Sequence, residues 1–205
     1  GSALPNQGVK YRAKSSPRRF RRPKCAEHSI DTRPKEVMDR KTFGHWEIDT
    51  IHGGKHTSPY CLFTMTERNS RTEIASRLAN THSQSVVDFL DSLETKMGSQ
   101  TFRKIFISVT CDGGPEFMDI EGIQRSCIDG KPRTKLYCAH PYAAYERGTN
   151  EVHNRMLRRF FPKGCDFLYV CDTDVEQALL WMNAYPRRVL KGETPQSIYT
   201  KNVGL

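Results

Sequence analysis

The run Lys104-Ile105-Phe106-Ile107-Ser108-Val109-Thr110-Cys111, closed by Asp112-Gly113-Gly114, constrains the fold of this chain more than any other feature. It is too apolar for a strand with one face in water. It reads as a central strand buried on both faces, which demands covering layers above and below the sheet. Ahead of it, His45 to Ile51 alternates as a strand and His52-Gly53-Gly54-Lys55 makes a turn. Pro59 to Met65 is a second strand, Glu67-Arg68-Asn69-Ser70 a tight connection, and Arg71 to Leu78 a third strand, together an antiparallel meander. Thr81 with Gln84 gives a capping-box signature for a helix whose apolar positions are Val86, Val87, Leu90, Leu93 and Met97, with Gly98 as its stop. Beyond the central strand the sequence predicts a helix over Pro115 to Cys127, a short strand over Thr134 to Cys138, and helices over about Asn150 to Phe160 and Val175 to Ala184. The order β-β-β-α-β-α-β-α-α describes an α/β domain, a mixed central sheet with an antiparallel meander flanked by helices. Periodicity alone selects no single fold within that class.

The 205 residues suffice for one sizeable core. No apolar run approaches the ~18 residues of a membrane span, so no membrane association is expected. The chain carries 32 Lys and Arg against 23 acids, but residues 1–40 hold 11 of those bases and only 4 of the acids. This is a nearly neutral body, residues 41–205, with a basic arm or linker, residues 1–40. The arm carries Lys10, Arg12, Lys14, Arg18, Arg19, Arg21, Arg22 and Lys24. Such an arm would release counterions from a polyphosphate; a solvated linker or localisation tract is an equal alternative. The opening Gly-Ser-Ala reads as a tag remnant ahead of a fragment of a longer protein. Seven Cys without a C-x-x-C pair read as reduced structural thiols in a cytoplasmic protein, and Cys127, Cys138 and His140 lack zinc-site spacing.

Three acids stand where acids are conspicuous. Asp49 shares a strand face with Glu47, opposite Trp46 and Ile48. Asp112 ends the apolar strand, at the position where α/β sheets present ligands. Glu151 opens a helix after Arg147-Gly148-Thr149-Asn150. Three converging carboxylates would suit a hard cation such as Mg²⁺, and a pair of ions would clamp the attacking and leaving oxygens of a phosphodiester. Taken singly, each has an ordinary alternative: an edge-strand surface residue, a turn former before Gly, and a first-turn acid favoured by the helix dipole.

Gly44-His45-Trp46-Glu47-Ile48-Asp49-Thr50, then Cys111-Asp112-Gly113-Gly114-Pro115-Glu116-Phe117, then Pro141-Tyr142 with Glu146-Arg147-Gly148-Thr149-Asn150-Glu151, resemble the three catalytic blocks of the insertion-sequence-thirty family of bacterial transposases. Arg158-Arg159-Phe160-Phe161-Pro162-Lys163-Gly164 and Pro186-Arg187-Arg188 with Thr194-Pro195 extend the likeness over roughly residues 30–200. The resemblance implies a ribonuclease-H-like integrase core with a DDE triad of Asp49, Asp112 and Glu151, both catalytic and metal-holding. The chain departs from the family in three places. Gly113 stands where the family usually has Asn. Cys138-Ala139-His140-Pro141 and Ala143-Ala144-Tyr145-Glu146 replace Asp-Pro and Pro-Trp-Gln patterns. The Asp112-to-Glu151 interval is several residues longer, with the excess assigned to Ile128-Asp129-Gly130-Lys131-Pro132.

Asn154, Arg155 and Arg158 share the helix face of Glu151 and are expected to grip DNA phosphates, with Met156, Leu157 and Phe160 as the buried stripe. Lys14, Arg18, Arg19, Arg21 and Arg22 are further DNA-binding candidates. Glu47 is expected to orient the site, Glu116 is read as an acid favoured at a helix start, neither as catalytic, and His153 is read as a surface histidine. The implied activity is that of a transposase catalytic domain: Mg²⁺-dependent strand cleavage (Mn²⁺ as substitute, two ions), then attack of the freed 3′-hydroxyl on target DNA. DNA and a second copy of the chain are the expected partners, in a bacterial, nucleoid-associated cytoplasmic protein whose helix-turn-helix domain lies upstream. The rivals are a nuclease without strand transfer and a non-catalytic DNA-binding protein.

Overall fold

A computed structural model of the chain describes residues 28–54, 56–140 and 143–204. The basic-arm candidates Lys14, Arg18, Arg19, Arg21 and Arg22, and the rest of residues 1–27, lie outside the described residues. Five strands form one sheet in the order β3-β2-β1-β4-β5. β1 (His45–His52), β2 (Cys61–Glu67) and β3 (Glu73–Leu78) are the antiparallel meander. β4 (Ser108–Cys111) and β5 (Lys135–Cys138) then join parallel to β1.

The two faces are dressed differently. Trp46, Ile48, Phe63, Met65 and Val109 bury against Val86 and Leu90 of α1 (Ser83–Met97) and Phe102 of α2 (Ser99–Ile105). Ile51 and Leu62 point the other way. They pack with Leu157 of α4 (Gly148–Leu157) and with Val175, Ala178 and Met182 of α5 (Asp172–Ala184). Both sheet faces are therefore covered, and β4 is buried along its whole length between β1 and β5, as its composition demanded.

Local boundaries differ from expectation for physical reasons. Only 108–111 of the apolar run is strand. Lys104 and Ile105 close α2, where Phe102 and Ile105 supply the buried face and Trp46 Nε1 donates to the Ile105 carbonyl at 2.8 Å. No Thr81 capping box forms. α1 starts one turn position later, behind His82, and Gln84 instead donates to Asp88. The helix expected over 115–127 divides into a 3-10 turn at Pro115–Phe117 and α3 (Ile120–Gln124), whose N-cap Asp119 accepts from Gly122 N–H at 2.9 Å. A further helix, α6 (Pro195–Val203), begins at the Thr194-Pro195 pair, with Thr194 Oγ1 accepting from Ser197 N–H. Residues 28–40 pack onto the body: Ser29 bridges to Cys138, and Ile30, Arg33 and Val37 are buried. The described cysteines are free thiols.

Candidate active site

Alternation along β1 turns Glu47 and Asp49 to the face that α4 covers. Glu47 pairs in register with Thr110 of β4, and the same offset sets Asp49, midway along β1, level with Asp112, just past the carboxyl end of the neighbouring parallel β4. One guanidinium joins the two acids there. Arg147 Nη1 lies 3.6 Å from Asp49 Oδ2 and its Nη2 lies 3.3 Å from Asp112 Oδ2. Asp49 also accepts from its neighbour Thr50 N–H at 2.9 Å and from Asn154 Nδ2 at 2.8 Å. Burial pushes the Asp49 carboxyl above its ordinary pKa, the opposing pull of Arg147 holds it down, and the charge of Asp112 pushes it up again.

Two acids thus share one cation, and this carries a prediction. Arg147→Gln leaves the carboxylates together with nothing between them, and is expected to destabilise the protein at pH 7 by about 1–2 kcal/mol, between the values for exposed and buried pairs. A carboxyl with a raised pKa takes up its proton early on acidification, so the loss should shrink as the pH falls through the Asp49 titration. Urea melts of both proteins from pH 7 down to 4 check this; a loss that grows on acidification would contradict the shared-cation geometry.

Glu151 stands in the first turn of α4 but its carboxylate faces solvent, 64% exposed, beside Arg155 Nη2 at 3.4 Å. The structure brings Asp49, Asp112 and Asn154 together, while the described contact of the Glu151 carboxylate is with Arg155. Arg155 is spent on Glu151, and Arg158 Nη2 donates to the His52 carbonyl at 2.7 Å. Among the described residues, the one trio of potential ligands with all donor atoms within 4.8 Å is Asp91, Glu94 and Cys127. That trio already holds a cation, because Arg133 pairs with Asp91 at 2.5 Å and Glu94 at 3.0 Å. The donor set at Asp49 and Asp112 fits a hard divalent ion: carboxylate oxygens on rigid strands, sharing a positive charge for which Arg147 is the stand-in.

α4 docks mainly through polar contacts, which the sequence reading missed. Its buried residues are Thr149, Asn150, His153 and Leu157. Leu157 is buried and Met156, half-buried, packs against the same cluster, while Phe160 is 40% exposed and rests on Trp181, so the expected stripe of Met156, Leu157 and Phe160 fails only at Phe160. His153 is buried, not on the surface, with Nδ1 2.8 Å from Glu73 Oε2. Glu47 is fully buried, ion-paired to the equally buried Arg68, and accepts the Asn150 backbone N–H at 2.8 Å. Glu47 therefore seats the helix that carries Asn154 and Glu151. Glu116 is buried too, accepting from Thr50 Oγ1 at 2.5 Å. The role of Arg147 was not foreseen; its signals were a position just ahead of the Glu151 helix and its place in the Glu146-to-Glu151 block.

Over 176 residues, 82% of this chain, the sequence is 34% identical to the "Probable transposase for insertion-like sequence element IS1161" of Streptococcus salivarius, of which 46% is covered. It is 30% identical over 176 residues to the transposase InsI of element IS30A of Escherichia coli strain K12, covering 86% of this chain and 43% of the relative. The transposase of element IS4351 of Bacteroides fragilis is 30% identical over 195 residues, 94% of this chain and 55% of that protein. The chain is a relative of the IS30-type insertion-sequence transposases. It spans about half the length of the curated transposases it matches. No protein-family model matches it, and no helix among the described residues is long and apolar enough to cross a membrane.

The transposase likeness also gives Gly113 a physical reading. Its φ is +76°, and a Cβ built there would meet nothing within 4 Å. Asn is the side chain that best tolerates that backbone region. Asn, which the family resemblance leads one to expect here, could make the same backbone turn beside Asp112.

Proposed function

We propose that the chain is the catalytic core of a DDE transposase on a ribonuclease-H-like sheet, in which Asp49, Asp112 and Glu151 hold divalent cations while DNA is cut and joined. The observation that carries this reading is the pairing of Asp49 and Asp112 around one positive charge on neighbouring parallel strands, with α4 laid across them. When bound, Mg²⁺, with Mn²⁺ as substitute and two ions in the site, supplies charge neutralisation at the attacking and leaving oxygens of a phosphodiester displacement.

The chain's own groups do the rest. Asp49 and Asp112 are fixed donors, and Asn154 Nδ2 fixes the Oδ2 atom of Asp49. Glu151 joins them by swinging away from Arg155, an exposed i,i+4 pair worth only a few tenths of a kcal/mol. Arg147 yields its place between the acids and becomes free to meet a phosphate. Cleavage leaves a 3′-hydroxyl, which then attacks the target strand. The working assembly is a homo-oligomer on DNA in the bacterial cytoplasm, with Lys14, Arg18, Arg19, Arg21 and Arg22 as additional phosphate contacts.

Strand transfer demands that the cut 3′-end stay in register until a target arrives. Arg155 and Arg158, on the Glu151 face of α4, are the groups that would hold it. The test uses uncut and pre-cut element-end oligonucleotides with Mg²⁺, following cut and joined products separately. Metal-dependent cutting followed by joining is expected, and Arg155→Ala/Arg158→Ala should lower joining about tenfold more than cutting, the equivalent of one charge-assisted phosphate contact. Cutting without joining would make the protein a nuclease, and DNA binding without cutting would make it a binder.

A further inference from the structure

One step along the strands from Asp49 and Asp112, the polar layer changes sign. At the Glu47–Thr110 pair, about 6.6 Å back at two residues of strand, Arg68 is ion-paired to Glu47 and Arg33 Nη1 donates to Thr110 Oγ1 at 3.2 Å. Arg33, Arg40 and Arg68 line a cavity of about 250 Å³. Arg71, anchored by Nη1 to Thr149 Oγ1 at 2.9 Å, adds a fourth guanidinium nearby. Burial lowers the pKa of Arg68, Arg33 and Arg71, and the neighbouring arginines lower each of them further.

Glu47, Glu67 and Glu146 offset this only in part, and the net direction for Arg33, Arg68 and Arg71 stays downward. Glu47 ion-pairs with Arg68, accepts the Asn150 N–H, and acts on Arg33 and Arg71 only through space. Glu67 spends both oxygens on local donors, Gly44 N–H at 3.0 Å on one and Asn69 N–H, Ser70 N–H and Ser70 Oγ on the other. Asp31 and Glu146, which line the far side of the cavity, both bind His140, at 3.1 Å and 2.8 Å. Their contact raises the pKa of His140, Glu146 contributing first. Meanwhile the Nε–H groups of Arg33, Arg40, Arg68 and Arg71 find no acceptor among the described residues, although Arg33 is 7% and Arg68 2% exposed. Buried guanidinium donors without acceptors are costly. What would satisfy them is a compact anion with several acceptor oxygens, which planar forks of this kind recognise. The cavity has room for one, being equal to on the order of eight waters at ~30 Å³ each.

We propose that this cavity is an oxyanion site for a phosphate group, which in the DNA complex is a backbone phosphodiester neighbouring the one at Asp49 and Asp112. The capacity for phosphate stands on these side chains alone; that the phosphate belongs to DNA rests on the transposase reading. Arg40 is the residue to change, because it is half-buried and its described hydrogen bond uses only its backbone carbonyl, which accepts from Asn69. Arg40→Gln should fold normally in chloride, and a melt checks that first. Lys96→Gln, on exposed α1 surface across the sheet, is the control.

Thermal unfolding of the whole chain is followed against sodium phosphate, with sodium chloride at matched ionic strength as reference. Phosphate should raise the wild-type and Lys96→Gln midpoints in a saturable way, and Arg40→Gln should weaken that response about tenfold or more, the loss of one charge-assisted contact. No phosphate effect beyond chloride, or an equal effect in Arg40→Gln, would overturn the site. In a second arm, the slope of log K against log[salt] for duplex DNA should fall by about 1 in Arg40→Gln. Weakened phosphate binding with an unchanged slope would keep the anion site and overturn its assignment to DNA. Metal-dependent cutting by the wild type is scored independently, so failure of the transposase reading and failure of the pocket are told apart.

Discussion

Asp112→Asn is expected to lower divalent-metal-dependent strand cleavage by about 1,000-fold while leaving the fold and DNA binding nearly intact. A metal site of this kind contributes several kcal/mol of charge stabilisation to phosphodiester displacement, and each 1.36 kcal/mol is a factor of ten in rate. Asp112 is the cleanest position to test because its side chain is 43% exposed, and its amide isostere keeps the shape that accepts from Gly114 N–H at 2.9 Å. Asp49→Asn should lose as much activity, but with a different signature in stability. The Asp49 carboxyl is held above its ordinary pKa by burial, so ionising it works against the folded state. The sign follows from linkage: a carboxyl whose folded pKa is raised gives most stability while protonated and loses it as pH climbs through that pKa. Removing the charge should therefore cost little stability at pH 7, less than Arg147→Gln costs, while abolishing cutting. Glu151→Gln should abolish cutting with no change in melting, since its described ion pair is an exposed i,i+4 contact. Measuring cleavage with Mg²⁺ and with Mn²⁺ alongside urea melts separates the three. Cutting at near-wild-type rate by any one variant would remove that acid from the assignment.

What could be read in the chain and what could not follow from where the information lies. Burial on both faces of β4 was legible because four consecutive residues carry it, and the meander because turn residues punctuate it. The split of 104–111 between helix and strand was not, because a short apolar run serves the last turn of a helix as well as a strand, and length alone arbitrates. Asp49 and Asp112 could be singled out by position, one on the strand face opposite Trp46 and Ile48, the other at the end of an apolar run. Arg147 could not, since its meaning arises only when the chain brings β1, β4 and the start of α4 to one point. The inward turn of His153 has the same cause. Its partner Glu73 sits on β3, 80 residues earlier, and no local period announces a buried histidine–carboxylate pair. The pairing of Glu151 with Arg155 depends on rotamer, and sequence fixes the helix face without fixing the rotamer.

Glu47→Gln is expected to be strongly destabilising. The Glu47–Arg68 pair is 0% and 2% exposed, and removing one member leaves a buried charge uncompensated, at a cost of about 3–5 kcal/mol. Against a total stability of ~5–15 kcal/mol for a domain, that is a large share. Arg68 is especially exposed to this loss because Arg40 already repels it. The substitution should act on the site as well as on the fold, because Glu47 also accepts the Asn150 N–H that begins α4. Amide exchange at Asn150 should accelerate more than at Val109, deep in the sheet, as the helix end loosens from β1. The double variant Glu47→Gln/Arg68→Met separates pair from packing: removing both charges should recover part of the loss, so the two single costs should sum to more than the double. A Glu47→Gln protein within ~0.5 kcal/mol of wild type would mean that Arg68 finds another partner and that α4 is seated by its remaining contacts. In that case Thr149, His153 and Leu157 hold the helix, and the placement of Glu151 owes nothing to Glu47.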